Sequence, residues 1–161
     1  MAGKELEVRV AWRRDDPEIE ADAIQFWTRL GLLPPGTPPE ERAKELVCVA
    51  YADGRLIAVG TAAIEHIPQL GAKFAIIRGA TDPDYRRLGA MWALAEPVRA
   101  TLEQWAIDHP QEKLAGRLGF VEHGAWGELA KMPVVSRLML FGYTAEGRQI
   151  RGDWFDHFRF D

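Results

Sequence analysis

One stretch of the chain constrains its fold more than any other: residues 72–81, AKFAIIRGAT, are apolar at nearly every position. A short run of this composition is typical of a strand in the centre of a sheet. Before it, two apolar runs flank Asp53-Gly54, a dipeptide that strongly indicates a tight β-hairpin. After it, apolar residues recur at helical spacings of three and four from Leu88 to about Ala106. Together these segments predict a mixed α/β domain.

The N-terminal part of the chain predicts one strand and two helices. Residues 5–12, ELEVRVAW, alternate apolar and charged side chains as a half-buried strand does. The next segment predicts a helix that is capped by Asp16, has Pro17 in its first turn and ends at Gly31. A proline-rich connection then contains a short helix, which we expect Thr37 to cap.

The C-terminal part predicts shorter elements. Pro97 lies inside the long helical pattern, where a proline kinks a helix or ends it early. Residues 110–126 predict a short helix, a turn at Gly119 and a strand, and residues 134–144 predict a further strand. An aromatic tail can add one more. The predicted order is therefore β, α, α, β-hairpin, β, α, α, β, β.

Composition places the chain among ordinary globular proteins and excludes several classes of function. It has 161 residues, 47% of them hydrophobic, which is enough for one domain that folds without a metal or a disulfide. A net charge of −4 gives no electrostatic case for binding nucleic acid. No apolar stretch has the length of a signal peptide or a membrane span, so we expect a cytoplasmic protein that does not bind membranes.

Cysteine and histidine show no reactive or metal-binding pattern. The single cysteine, Cys48, lies in the apolar run ELVCVAYA, which favours a buried structural thiol in a reducing compartment over a nucleophile. We expect no metal site, because the histidines lack metal-ligand spacing. They are His66, His109, His123 and His157.

Two cations and a glycine mark the point where the long helix begins. Backbone N–H groups in the first turn of a helix lack intrahelical partners, and a phosphate can satisfy several of them. Gly89 and Ala90 are small enough for a close approach, while Arg86 and Arg87 can add charge and paired hydrogen bonds. On these residues alone, a phosphate site and an exposed arginine pair in a turn are equally good interpretations.

The wider context resembles the GNAT superfamily of N-acetyltransferases from about Val8 to Tyr143. The family signature Arg/Gln-x-x-Gly-x-Gly/Ala, between the fourth strand and the third helix, is matched by Arg-Arg-Leu-Gly-Ala-Met at residues 86–91. A second signature, a helix that leads into Leu-Gly-Phe and a strand, is matched by EKLAGRLGFVEHG at residues 112–124. The resemblance implies a single-domain α/β fold with a central mixed, mostly antiparallel sheet flanked by helices.

The same resemblance implies transfer of an acetyl group from acetyl-CoA to an amine of a small molecule or a protein. The pantetheine arm would lie near Ala80 and Thr81, at the end of the fourth strand. The pyrophosphate would bind the backbone amides of Arg86, Arg87, Leu88, Gly89, Ala90 and Met91. Much of the rate would come from holding the two substrates in line.

The sequence departs from the family pattern at four places. Met91 stands where the family has a small residue, and its spacing to Leu94 favours a core position. Ala115 and Ala75 occupy the positions of a tyrosine acid and a glutamate base found in relatives, so no catalytic residue is assigned. The segment 107–120 is too short for both a fifth strand and a helix. The nearest titratable substitutes by type are Glu65, His66 and Tyr143.

Two functions therefore stay open: an acetyltransferase, and a GNAT-fold module without catalysis that binds a partner or belongs to a larger assembly. The resemblance assigns residues 1–143 to the acyltransferase domain. Residues 144–161 form an aromatic tail of the same domain, either an extra strand or an interface for a second copy or a partner protein. The aromatic side chains of this tail are Trp154, Phe155, Phe158 and Phe160.

Overall fold

The computed structural model describes residues 5–160 of the chain. The strands are β1 (Leu6–Val10), β2 (Leu46–Ala52), β3 (Arg55–Ile67), β4 (Ala72–Thr81), β5 (Leu114–Val121), β6 (Val134–Val135), β7 (Leu138–Tyr143) and β8 (Gln149–Trp154). The α-helices are α1 (Pro17–Leu30), α2 (Pro39–Ala43) and α3 (Ala90–Asp108). Short 3₁₀-helices cover Pro68–Leu70, Pro83–Leu88, Pro110–Glu112 and Gly127–Lys131. Within the described residues, no helix has the length and apolar character needed to cross a membrane.

The strands form one mixed sheet in the order β1-β2-β3-β4-β5-β8-β7-β6. β4 and β5 run parallel, whereas the other pairs with a described register run antiparallel. The apolar β4 lies between β3 and β5, in the central position that its composition predicts. The expected fold class, a mostly antiparallel mixed sheet accompanied by helices, is confirmed.

Contacts along the chain define two compact units. The first unit contains Met1–Ala62 and Gly79–Leu102, and the second contains Ala63–Arg78 and Glu103–Asp161. β3, β4 and α3 each contribute residues to both units. The residues expected to hold a cofactor, 80–91, all belong to the first unit.

In the first unit, local signals set the ends of α1 and the turn of the β2–β3 hairpin. The Asp16 carboxylate accepts hydrogen bonds from two N–H groups of the first helical turn, and Gly31 ends the helix with a φ of 61°. Asp53 and Gly54 have φ values of 51° and 76°, the pair of positive angles that a two-residue type I′ turn requires. These predictions are confirmed. The buried core of this unit includes Ile19, Ala23, Phe26, Trp27, Leu46, Val49, Tyr51, Leu56 and Val59.

In the second unit, β5 and β8 approach closely because glycines face the neighbouring backbone. A Cβ atom on Gly116 would collide with the carbonyl oxygen of Asp153, and Gly152 lies almost as close to the backbone of Arg117. A buried ion pair also joins the two strands, with Arg117 Nε 2.7 Å from Asp153 Oδ1. The apolar core beside them contains Ala72, Phe74, Ile76, Ala115 and Leu118.

The aromatic tail packs mainly within the second unit. Trp154, the last residue of β8, makes an edge contact with Phe74 at 4.9 Å between ring centroids and stacks on Phe158 at 6.1 Å. Phe155 is buried, whereas Phe160 is 64% exposed although its ring contacts Trp154. Residues 149–154 therefore form a strand, and most of the tail aromatics contribute to packing.

The structure corrects one expectation for the residues that follow the long helix. The segment expected to be a helix before Leu-Gly-Phe is β5, so the fifth strand thought to lack room is present. Leu114 and Leu118 are four residues apart, which mimics a helical face, but Gly116 between them serves the close approach to β8. α3 continues through Pro97 to Asp108, as its helical spacing predicts, and buried side chains occur along it as far as Ala106.

The expected cap of α2 is also wrong. The residue before the first turn of α2 is Pro38, and no side chain hydrogen-bonds to the end of this helix. Thr37 therefore lies one position too early to act as the cap.

Candidate cofactor-binding site

A short connection joins the end of β4 to the start of α3 in the first unit. Pro83–Leu88 form a 3₁₀-helix, which Gly89 ends with a φ of 68°. The Gly89 carbonyl accepts a hydrogen bond from the Ala93 N–H at 2.9 Å and so begins α3. A side chain disfavours this left-handed backbone conformation, which explains why a glycine stands at the junction.

The two arginines of the connection carry charge that no residue in the described part of the chain neutralises. Arg86 and Arg87 are exposed at the end of the 3₁₀-helix. Neither guanidinium forms an ion pair with another residue in the range 5–160. Guanidinium groups bind phosphates through paired, charge-assisted hydrogen bonds, so both side chains are available to an anionic ligand.

The backbone amides of this connection fall into two groups. Those of residues 86–88 lie in the 3₁₀-helix, a structure whose N–H groups bond to carbonyls three residues back, and the Gly89 N–H donates to the Arg86 carbonyl at 3.3 Å. Those of Ala90 and Met91 lie in the first turn of α3, where N–H groups have no intrahelical partner. A phosphate here would bind these two amides, together with the side chains of the arginines.

Open space surrounds the junction itself. A Cβ atom built on Gly89 meets no other atom within 4 Å. Met91 is 44% exposed, so the expectation that it fills the core is wrong. Ala90 takes the buried position in the first turn, and Leu94 continues the buried face one turn later. Met91 therefore lies at the surface of the first turn.

The end of β4 carries an unsatisfied polar group. Thr81 Oγ1 is buried and has no hydrogen-bond partner among residues 5–160. A buried hydroxyl without a partner costs about 1–3 kcal/mol, so such groups are normally paired. Ala80, directly before it, packs against the core of the first unit. Thr81 thus offers a hydrogen bond to a ligand that reaches the end of this strand.

β4 also extends beyond its pairing with β5. The described register ends at Ile76 opposite Leu118, whereas β4 itself continues to Thr81. Arg78 and Gly79, which follow this point, are exposed although β4 is a central strand. An unpaired strand edge presents N–H and C=O groups that can bind an extended ligand.

Asp82 fixes the start of the connection. It is buried, and its backbone N–H donates to the Ile57 carbonyl at 2.8 Å. Its carboxylate accepts hydrogen bonds from Arg29 Nη2 at 2.9 Å and from the Asp84 N–H at 3.0 Å. Burial by itself raises the pKa of Asp82, but these two hydrogen bonds outweigh it and hold the pKa below its usual range. The group is therefore a carboxylate at neutral pH.

Sequence reasoning missed both members of this ion pair. An aspartate directly before a proline at the start of a helix is a capping signal, and it could have identified Asp82. Arg29 is 53 residues away in the chain, so no local pattern connects the two.

The titratable residues considered as catalysts lie elsewhere. Glu65 and His66 are exposed near the end of β3, and Tyr143, 61% exposed, ends β7. Ala75 and Ala115 are buried within β4 and β5. All five belong to the second unit, whereas the residues expected to hold the cofactor belong to the first. Residues 5–160 contain no cluster of three or more His, Cys, Asp or Glu side chains arranged to hold a metal ion.

Comparison with known proteins identifies the fold. No family model matches the chain, and no curated protein matches it in sequence. The structure is similar to a GNAT-family acetyltransferase from Streptococcus pneumoniae, with a TM-score of 0.53 and 13% identity over 94% of this chain and 99% of that one. It is also similar to a bacterial toxin, with a TM-score of 0.58 and 12% identity over 96% and 93% of the two chains. The chain therefore has the fold of the GNAT acetyltransferases, as a divergent example of it.

Proposed function

We propose that this protein is an acetyl-CoA-dependent N-acetyltransferase. The observation that carries the proposal is the junction at Gly89, a left-handed glycine in open space at the start of a helix. Two arginines without ion pairs in the described chain stand directly before it. The GNAT fold suggests the class of reaction, and this junction has the groups that a diphosphate needs.

Two parts of the first unit bind the cofactor: the connection that leads into α3, and the end of β4. The side chains of Arg86 and Arg87 and the amides of Ala90 and Met91 hold the pyrophosphate, while Leu88 and Gly89 keep the backbone close to it. Ala80 and Thr81 contact the pantetheine arm at the end of β4. The orphaned Thr81 hydroxyl supports this arrangement, because a hydrogen bond from the arm would satisfy it.

The chemistry is an acyl transfer. Acetyl-CoA supplies a thioester whose carbonyl carbon is attacked by the acceptor amine, so that a C–N bond forms and the C–S bond breaks. The nitrogen gives up a proton and the departing sulfur takes one, which conserves charge overall. The residues of this chain bind the cofactor and fix its direction, and strand amides polarise the carbonyl.

The acceptor is an amine of a small molecule or a protein, and the protein acts in the cytoplasm. The buried Cys48, the single cysteine of the chain, suits a reducing compartment. We assign residues 1–143 to the acyltransferase domain and residues 144–161 to a tail of the same domain. Packing of Trp154 on Phe74 supports this assignment of the tail.

The test is calorimetric titration of acetyl-CoA into the wild type and two matched variants. Gly89→Glu places a carboxylate where the diphosphate would bind, and we expect at least about a tenfold weaker affinity. Gly31→Glu is the control, because Gly31 has a similar φ of 61°, also ends a helix and also meets no atom within 4 Å of an added Cβ. It should bind acetyl-CoA as the wild type does. Absence of binding to the wild type at high micromolar cofactor contradicts the proposal.

A GNAT-fold module without catalysis is the second candidate. Ala75 and Ala115 are buried at the positions where relatives carry proton-transferring side chains, and neither can move a proton. Phe160 leaves an exposed aromatic ring on the tail that a second copy or a partner protein could cover. Incubation with acetyl-CoA and a panel of primary amines separates the candidates. Formation of an acetylated amine with release of the free thiol excludes the module.

A further inference from the structure

We propose that the ion pair between Arg29 and Asp82 positions the connection that binds the cofactor, so that Arg29 of α1 sets the affinity for the diphosphate. This inference rests on the proposed function of residues 80–91. Neither side chain is assigned a contact with the cofactor, and both act through the backbone that follows Asp82.

Asp82 makes four hydrogen bonds. Two join it to other elements of the first unit, and two join it to residues that follow it in the chain. Its N–H donates to the Ile57 carbonyl of β3, and its Oδ2 accepts from Arg29 of α1. Its Oδ1 accepts from the Asp84 N–H at 3.0 Å, and its carbonyl accepts from the Tyr85 N–H at 2.9 Å. The first two contacts fix where β4 ends, and the last two fix the direction in which the 3₁₀-helix leaves it. The orientation of this helix in turn places the arginines and Gly89.

The buried charge of Asp82 depends mainly on Arg29, the arginine that hydrogen-bonds to it, while Arg55 adds a weaker electrostatic attraction. The Asp82 side chain is only 2% exposed, and a buried carboxylate that loses its cationic partner is strongly disfavoured. Without the Arg29 guanidinium, only the weaker attraction of Arg55 remains, which favours movement of Asp82 towards water or uptake of a proton. Movement of its backbone shifts the 3₁₀-helix, and protonation makes the carboxyl oxygen a weaker acceptor for the Asp84 N–H in the first turn.

Arg29 itself can be replaced without opening the core. Its side chain is 36% exposed and lines a surface cavity of about 320 Å³ together with Asp22, Phe26 and Leu56. A different side chain at this position therefore changes a solvent-lined cavity. Arg29→Met keeps the apolar stem and removes the charge, whereas Arg29→Lys keeps the charge.

A matched control is available on α2. Arg42 also belongs to the first unit and also pairs with a carboxylate, at 3.5 Å from Glu45. Arg42→Met therefore removes an arginine charge and an ion pair away from the connection. Asp82→Asn provides a second route to the same defect, because the amide oxygen still accepts the Asp84 N–H bond while the negative charge is lost.

Two measurements test the proposal on the full chain. Hydrogen exchange without cofactor reports the order of residues 83–91, and calorimetry reports the affinity for acetyl-CoA. For Arg29→Met we expect about tenfold faster exchange in this segment and about tenfold weaker binding, with Arg29→Lys closer to the wild type. Arg42→Met should leave both unchanged. Unaltered exchange of residues 83–91 in Arg29→Met overturns the proposal, whether or not the affinity changes.

The double variant Arg29→Met/Asp82→Asn completes the cycle. If the two residues act through one ion pair, the double variant should lose no more affinity for acetyl-CoA, and exchange no faster, than the more affected single variant. Additive losses overturn the proposal. Failure of the wild type to bind acetyl-CoA would count against the proposed function, whereas the exchange experiment would still report whether Arg29 orders the connection.

Discussion

Asp82 carries a negative charge inside the first unit, and this charge makes the stability of the protein depend on pH. Its pKa in the folded state lies below the ordinary aspartate value of about 3.9. Such a group stabilises the fold above its unfolded pKa, and this contribution is lost as the pH falls through the folded pKa. We expect wild type to unfold at higher urea than Asp82→Asn at about pH 7, with the gap narrowing below about pH 4. A gap of constant size down to about pH 3 contradicts this linkage.

Cys48 should be unreactive in the folded protein. Burial raises the pKa of its thiol to about 11, and the contact with Thr101 only partly offsets that effect. At about pH 8, roughly one molecule in a thousand then carries the reactive thiolate. We expect an aromatic disulfide reagent to label native protein at least about a hundredfold more slowly than protein unfolded in urea. Equal labelling rates in the two states would show that the thiol is accessible.

At the residue scale, the sequence predicts caps and turns that are set by residues close to one another in the chain. Asp16, Gly31 and the Asp53-Gly54 turn act through hydrogen bonds and backbone angles within a few positions, and all are confirmed. The Arg29–Asp82 pair depends on the packing of α1 beside the end of β4, 53 residues apart, and no local pattern contains it. The chemistry of a candidate site can thus be partly predicted, while its supporting contacts come from the fold.

At the element scale, the close approach of β5 and β8 predicts a sharp difference between two glycines. Gly116→Ala puts a methyl group against the Asp153 carbonyl, so the strands must separate, and we expect a loss of about 3 kcal/mol in unfolding free energy. Gly142→Ala, in β7, meets no atom within 4 Å and should change stability by less than about 0.5 kcal/mol. Urea unfolding followed by circular dichroism measures both. Equal losses of unfolding free energy in the two variants would show that β5 and β8 can separate at little cost.

Helices and strands with a clear hydrophobic spacing can be predicted from the sequence, but β5 cannot. α1, the hairpin, β4 and α3 each bury a face that is visible in their spacing. β5 is defined by pairing with β4 on one side and β8 on the other, strands that are distant in sequence. The spacing of Leu114 and Leu118 and the glycine at position 119 favour a helix followed by a turn until those partners are known. The spacing of α3 also fails to predict that Met91 is exposed, because the buried face of this helix begins at Ala90.

At the scale of the whole molecule, the fold is recognisable although sequence identity to its structural relatives is 12–13%. The signature at residues 86–91 lies at a strand-to-helix junction, as the resemblance implies. The second signature, at residues 112–124, implies a helix that leads into Leu-Gly-Phe and a strand, whereas here Leu-Gly-Phe lies inside β5. The order of elements and the glycine junction therefore identify the fold more reliably than the Leu-Gly-Phe motif does.

Binding at the Gly89 junction should stabilise the whole molecule. A ligand that binds only the folded state adds about 2.7 kcal/mol to the free energy of unfolding at one hundred times its Kd. For a chain of 161 residues this corresponds to a rise in Tm of roughly 5–10 °C, measurable by differential scanning fluorimetry. Gly31→Glu should show the same rise, because its altered cap lies outside the site, whereas Gly89→Glu should show little. Coenzyme A without the acetyl group should act like acetyl-CoA, since the proposed interaction is with the diphosphate. A full rise in Gly89→Glu would mean that the ligand binds at another place on the protein.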